Sequence, residues 1–179
     1  MGSWHFFFSA FSRAGRLRDI VHQRVIDKKG VQMARIEESI EIHCPVEKAF
    51  AFTTDAGSWS TWQTVIPEAE QTSKGPVGVG TTFRGTNHLM GRTMKWTAQT
   101  TEYEKNRKFG KNITSGSVFI EQHNTYDPTK DGLKFTIVYD MNVHGFLKLL
   151  SPMIVSSMHK ELKKSLGNVK QMLEASVQV

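Results

Sequence analysis

Glu38 is the acidic residue whose position most suggests acid–base chemistry. It lies in a segment of alternating character, where it shares one face with Ile36, Ile40 and Ile42. A carboxylate on an apolar strand face is costly to bury unless it is paired or its pKa is raised, and such carboxyls serve as general acids or bases. The alternative is a strand that twists or bulges, so that Glu38 reaches solvent at its rim.

Arg92 and His123 carry the same ambiguity. Arg92 has the parity of Trp96 along one predicted strand, and His123 shares a strand face with Glu121. Alternation shows which residues face together, but it does not show which face points inward. A pair of Arg92 with Glu38, or of His123 with Glu121, facing a cavity would support ligand hydrogen bonding or proton transfer.

Other site chemistries find little support in the remaining residues. The single cysteine, Cys44, precedes a predicted helix start, which could lower its thiol pKa, but we favour the interpretation of a small buried residue at a turn. No Gly-x-Ser-x-Gly nucleophile elbow is present. We therefore expect no metal and no cofactor, because metal-ligand spacing is lacking among the histidines beyond residue 33, which are His43, His88, His123, His144 and His159.

A set of aromatic and methionine residues is better suited to ligand binding than to catalysis. Most apolar residues at strand and helix positions simply form the core. Methionine, tryptophan and tyrosine are nevertheless adaptable, and a tyrosine hydroxyl can bond a ligand. The residues that we expect to line a hydrophobic cavity are Phe83, Met94, Trp96, Tyr139, Met141 and Met158.

Composition and charge narrow the class of protein. The chain has 179 residues, of which 39% are hydrophobic and 22% charged, and its net charge is +6. Residues 1–33 carry a net charge of +4, so the remainder is nearly balanced and gives little support for a nucleic-acid partner. No apolar run is long enough to span a bilayer, and one cysteine cannot form an internal disulfide. We therefore expect a soluble, cytoplasmic protein without an integral membrane segment.

Residues 1–33 differ from the rest of the chain. They contain three consecutive phenylalanines, several arginines and few acids. They fit a disordered or helical extension outside the domain, an organelle-type presequence, or upstream sequence added by a wrong start, because Met33 directly precedes the first clear strand. The expected domain therefore covers residues 34–176.

Periodicity divides that domain into elements that would position the candidate residues. Residues 35–42 alternate as a strand, Pro45 starts a short helix over 46–53, and a helical turn covers 56–61. The glycine-rich segment 75–80 lacks phosphate-loop spacing and is interpreted as a turn. Turn residues separate the further predicted strands, which are 81–86, 93–103, 109–114, 118–126 and 133–143.

The C-terminal segment changes to a helical period. Apolar residues recur every three or four positions from Leu147 to Leu173, with a kink or restart expected at Ser151-Pro152. The order indicates an α+β fold in which a curved antiparallel sheet of about six or seven strands wraps the long C-terminal helix. Small inward residues such as Gly85 and Ala98 would enlarge the space between them.

Several motifs resemble those of a known superfamily. Residues 50–55 with Trp59 and Trp62, followed by the segment 75–84, look like the front half of the START-like, polyketide cyclase/dehydrase-like (SRPBCC, Bet v 1-like) superfamily. The resemblance covers residues ~34–176 and implies a helix-grip fold with a hydrophobic cavity under the long helix. No catalytic residue carries over, because the superfamily shares no universal one.

Three functions remain open at this point. The first is a carrier or sensor of a small hydrophobic molecule such as a lipid, an isoprenoid or a polyketide. The second is a cyclase or dehydratase that uses acids and bases in its pocket. The third is a protein-interaction module, such as a chaperone activator or a translation-associated factor, which would show an exposed patch in place of an open pocket.

Overall fold

An eight-stranded antiparallel sheet is the frame of the protein. The structure, a computed structural model, describes residues 24–26, 32–89 and 91–176. The strands are β1 (Arg24–Ile26), β2 (Gln32–Ile42), β3 (Glu68–Gln71), β4 (Thr82–Leu89), β5 (Arg92–Glu104), β6 (Lys108–Ser115), β7 (Val118–Thr129) and β8 (Gly132–Val143).

The strands from β3 to β8 form a meander, and β2 closes against β8 to give the order β1-β2-β8-β7-β6-β5-β4-β3. Tight turns join the long strands, and Asn106 and Gly116 adopt positive φ there, at 63° and 57°. A register shift between Thr100 and Glu102 of β5 marks a bulge, which adds curvature to the sheet.

Two short helices and one long helix complete the fold, which is the predicted helix-grip arrangement. They are α1 (Val46–Thr54), α2 (Ala56–Trp62) and α3 (Ser151–Ala175), with a 3-10 helix at Gly145–Leu150 before α3. The Asp55 side chain accepts a hydrogen bond from the Gly57 N–H at 3.1 Å and so caps the start of α2. The helix restarts at Ser151-Pro152 as predicted, because proline is suited to the first helical turn.

An aromatic core fills the space between the sheet and the short helices. Trp59 of α2 lies 4.9 Å from the Phe83 ring, measured between centroids, and its indole N–H donates to the Thr53 carbonyl at 2.9 Å. Tyr126 stacks on Phe135 at 4.8 Å and shares a 2.7 Å hydrogen bond with the Thr53 hydroxyl. These contacts fix α1 and α2 on the sheet.

The C-terminal half of α3 is tied to its surroundings by hydrogen bonds. Asn168 donates to the Trp62 carbonyl at 3.1 Å, and Lys170 donates to the Glu41 carbonyl at 2.6 Å. The His43 N–H donates to the Glu174 carboxylate at 2.8 Å, and this bond lowers the pKa of that carboxyl. None of the described helices is long and apolar enough to cross a membrane.

Two strands go beyond the sequence prediction. β3 has one apolar residue, Ala69, among four, so alternation could not reveal it. β1 lies in the segment that was predicted to stand outside the domain, and its residues pair with Gln32–Ala34 of β2. The remainder of residues 1–31 lies outside the described residues.

Candidate functional site

A cavity of about 500 Å³ lies between the sheet and the N-terminal half of α3. Leu150 and Met153 line it and are 43% and 50% exposed, so they mark its opening to solvent. The strands contribute Asn87, Arg92, Met94, Trp96, Lys111, Ile113, Ser115, Val118, Ile120, Gln122 and Tyr139. The helices and the segment after α2 contribute Gln63, Val65, Ile66, Leu150, Met153, Ile154, Met158, Glu161, Leu162 and Ser165.

Strand alternation explains which side chains reach the cavity floor. Lys111, Ile113 and Ser115 are alternate residues of β6, and β7 presents its own alternate residues opposite them. Ile113 pairs directly with Ile120, so the centre of the floor is apolar. Paired residues of an antiparallel ladder point to the same face, and the inward parity of one strand therefore fixes that of its neighbours.

Lys111 is the unusual member of this floor, because its side chain is buried and only 3% of the residue is exposed. Its Nζ lies 3.5 Å from the centroid of the Trp59 ring, over the ring face. Within the described part of the chain, no carboxylate forms an ion pair with it. Desolvation lowers the pKa of the Lys111 amine to about 7.

A polar row crosses the floor at the level of Lys111. Register places Lys111 opposite Thr100 of β5 and Gln122 of β7, and Gln122 opposite Tyr139 of β8. Gln122 donates to the Asn124 side chain at 2.8 Å, which ties it to the core. Burial raises the pKa of the Tyr139 hydroxyl, so this group remains a neutral hydrogen-bond donor.

Two other side chains that line the cavity have buried polar atoms without a partner in the described residues. They are Trp96, through its indole Nε1, and Asn87, through its Oδ1. Gly85 seats the Trp96 ring, since a Cβ at residue 85 would lie 2.5 Å from that ring. Gly85 therefore leaves room for the tryptophan but does not itself line the cavity, and Ala98 is a buried core residue that does not line it either.

The proposed ligand-binding set divides between the cavity and the closed core. Met94, Trp96, Tyr139 and Met158 line the cavity. Phe83 does not line it, because Trp59 of α2 packs over its ring. Met141 does not line it either, and its side chain is 1% exposed within the packed core.

The three acid–base candidates do not come together. Glu38 lies outside the cavity lining, because it reaches His159 of α3, with 2.5 Å between its Oε1 and the imidazole Nε2. His123 faces the opposite side of the sheet from Gln122, where its Nδ1 is 3.6 Å from a Glu102 oxygen. Arg92 lines the cavity and is exposed at its edge.

The cysteine and the histidines do not form a metal-type cluster in the part of the chain that the structure describes. Cys44 is buried, and burial raises the pKa of its thiol despite its position just before α1. Among the described residues, no three histidine, cysteine, aspartate or glutamate side chains cluster closely enough to hold a metal ion.

Sequence reasoning missed Lys111, although a signal was present. Lys111 stands between Phe109 and Ile113 at the same parity, so an inward β6 face must carry its amine. Gln122 was missed as well, because alternation along β7 groups its residues into two faces but does not show which face points inward.

Comparison with known proteins identifies the family of this chain. A family model described as polyketide cyclase/dehydrase and lipid transport matches residues 33–174. No curated protein matches the sequence.

Many solved structures share the fold. The Zhui aromatase/cyclase from Streptomyces sp. R1128 is 12% identical with a TM-score of 0.72, over 81% of this chain and 96% of that one. A START superfamily protein from Mycobacterium smegmatis is 13% identical with a TM-score of 0.65, over 77% and 98%. Ara h 8.0201 is 15% identical with a TM-score of 0.62, over 79% and 97%.

These identities are low, so the structural neighbours establish the helix-grip fold alone. The family model spans nearly the whole sheet and α3. The chain therefore belongs to the family of polyketide cyclases/dehydrases and lipid transport proteins.

Proposed function

We propose that the protein binds a small hydrophobic molecule in the cavity under α3 and acts as its carrier or sensor. The observation that carries the proposal is the cavity of about 500 Å³, whose floor and roof are mainly aliphatic, aromatic and methionine side chains. This size and lining are typical of small-molecule sites. Membership of a family whose description includes lipid transport supports the same function.

The placement of the acid–base candidates favours binding over turnover. Glu38 and His123 lie outside the cavity, in contact with His159 and Glu102. Glu161 lines the cavity, but its carboxylate accepts a 2.7 Å hydrogen bond from Thr64. The open cavity also counts against a module that only binds other proteins.

Binding of a neutral hydrophobic dye tests the proposal. Nile red titrated into delipidated full-length protein should show saturable fluorescence at one site, and native mass spectrometry of untreated protein should show a bound hydrophobe. Met94→Trp should weaken dye binding by about tenfold or more, because the larger ring occupies the cavity.

Met172→Trp is the matched control, since Met172 also lies at a surface, 40% exposed on α3, but does not line the cavity. It should bind the dye like the wild type, and circular dichroism should show both variants folded. Non-saturable dye binding, or equal affinity of the two folded variants, would overturn the proposal.

A further inference from the structure

The Lys111 amine gives the cavity a chemical preference that hydrophobicity alone does not provide. It is carried into the floor by β6, where Phe109 and Ile113 share its face. The ring of Trp59 covers one side of it at 3.5 Å, and Phe109 lies 5.8 Å away. Aromatic faces attract a cation, but they neither accept a strong hydrogen bond nor neutralise the charge.

The polar side chains nearest the amine in the sheet register are uncharged. The Gln122 amide donates to Asn124, and Thr100 has a buried hydroxyl without a partner in the described residues. The Tyr139 hydroxyl and the unpartnered Trp96 indole N–H add donors to the three of the ammonium group. The protein therefore offers this end of the cavity hydrogen-bond donors and positive charge without a matching carboxylate.

We infer that the cavity takes an amphiphilic acid, whose anionic head group pairs with the Lys111 ammonium and whose hydrocarbon part lies along the apolar floor and α3. The inference rests on the proposed function and names the ligand class for that same site. A wholly apolar ligand would leave the amine desolvated without a partner, which is costly. A carboxylate supplies the missing counter-charge.

The orientation of the ligand follows from where the charges lie. Lys111 is deep in the floor, whereas Leu150 and Met153 mark the opening. The head group therefore lies at the floor in the bound state, and the hydrocarbon tail points to the opening between the 3-10 helix and the start of α3. Exposed Arg92 remains in contact with solvent, where water satisfies it without a ligand.

Acid binding is coupled to protonation of Lys111. The other titratable groups that face the cavity are Arg92 from β5, Tyr139 from β8 and Glu161 from α3. β7 and α2 present Gln122 and Trp59, which do not titrate. Because burial lowers the pKa of the Lys111 amine to about 7, an acid that binds above that pH draws a proton onto it.

The test compares two probes of equal chain length, decanoic acid and decan-1-ol, by displacement of Nile red from delipidated full-length protein. The wild type should bind the acid about tenfold or more tightly than the alcohol. Lys111→Met should weaken acid binding by about thirtyfold and leave alcohol binding within about threefold, because only the charge pair is lost. Lys163→Met, at an exposed position on α3 outside the cavity, should change neither.

Calorimetry on the wild type gives an independent readout that needs no variant. In buffers of different ionisation enthalpy near pH 8, binding of decanoic acid should take up about one proton, and binding of decan-1-ol none. Equal affinities for the two probes in the wild type, unchanged acid binding in Lys111→Met, or no proton uptake would overturn the inference. If neither probe nor Nile red binds, the proposed function itself fails.

Discussion

At the scale of single residues, the Lys111 amine makes the stability of the protein depend on pH. Its pKa is lowered to about 7 in the folded state, whereas a lysine in the unfolded chain titrates near about 10.4. Between these values the unfolded chain binds more protons than the folded one, so the free energy of unfolding rises with pH. From about pH 7 to about pH 9, the wild type should gain about 2 kcal/mol relative to Lys111→Met.

Urea-induced unfolding of delipidated protein at both pH values measures this difference. Subtracting Lys111→Met from the wild type removes the titration of all other groups, and Lys163→Met should keep the wild-type slope because its side chain is exposed. The sign follows from desolvation of a cation, so Lys111→Met should also be the more stable protein at neutral pH. Parallel pH profiles for wild type and Lys111→Met would contradict the buried-amine account.

The candidate site was partly predictable from single residues. Met94 and Trp96 are alternate residues of β5 and therefore both face the cavity, and the same alternation along β8 places Tyr139 there. Phe83 has the same inward character, yet whether an inward side chain lines a cavity or fills a core depends on what covers it. Here Trp59 covers Phe83. This contact depends on where α2 packs, and the periodicity of the strands does not predict that position.

At the scale of elements, the contact between Glu38 and His159 joins β2 to the middle of α3. The two side chains are 24% and 27% exposed, so solvent screens the pair in part. A double-mutant cycle with Glu38→Gln and His159→Gln should give a coupling free energy of about 0.5–1 kcal/mol near pH 6, measured by urea unfolding. Nile red affinity should stay unchanged, because neither residue lines the cavity.

The exposed pair of Glu70 on β3 and Arg84 on β4 provides the control cycle. Its side chains are 57% and 67% exposed, and the coupling between Glu70→Gln and Arg84→Gln should be close to zero. A loss of ligand binding in folded Glu38→Gln would instead show that Glu38 takes part in ligand binding. Zero coupling between Glu38 and His159 would show that packing alone positions α3 on β2.

The elements themselves were largely predictable, and the exceptions have a physical cause. β8 and α3 each bury a continuous apolar face, so their periods of two and about 3.6 are visible in the sequence. β3 is held by backbone pairing with β4 at one side of the sheet and buries little, so its residues are free to be polar. β1 consists of three residues and pairs with β2 over that length, which is too short for a pattern.

At the scale of the whole molecule, the hydrogen bonds that anchor α3 and the cavity that α3 covers lie at different ends of that helix. Hydrogen bonds from Asn168 and Lys170 secure its C-terminal half, while its N-terminal half roofs the cavity from Met153 to Ser165. The aromatic core around Trp59 and Tyr126 lies beside α1 and α2. Substitutions of the cavity lining can therefore change binding while the packed end maintains the fold.

The segment before β2 should be dispensable for both fold and binding. A variant that begins at Met33 loses β1, whose three residues pair with the edge of β2, but keeps the pairing of β2 with β8 from Ala34 to Ile42. It also loses most of the net positive charge, since residues 1–33 carry +4 of the total +6.

We expect the truncated protein to fold with a Tm lower by about 2–4 °C, because the lost edge pairing is worth about 1 kcal/mol. Its Nile red affinity should stay within about twofold of the full-length value, because no residue before Gln63 lines the cavity in the described structure. Thermal unfolding by circular dichroism and dye titration of both proteins decide the matter, and a truncated protein that folds but no longer binds the dye would make the N-terminal segment part of the site.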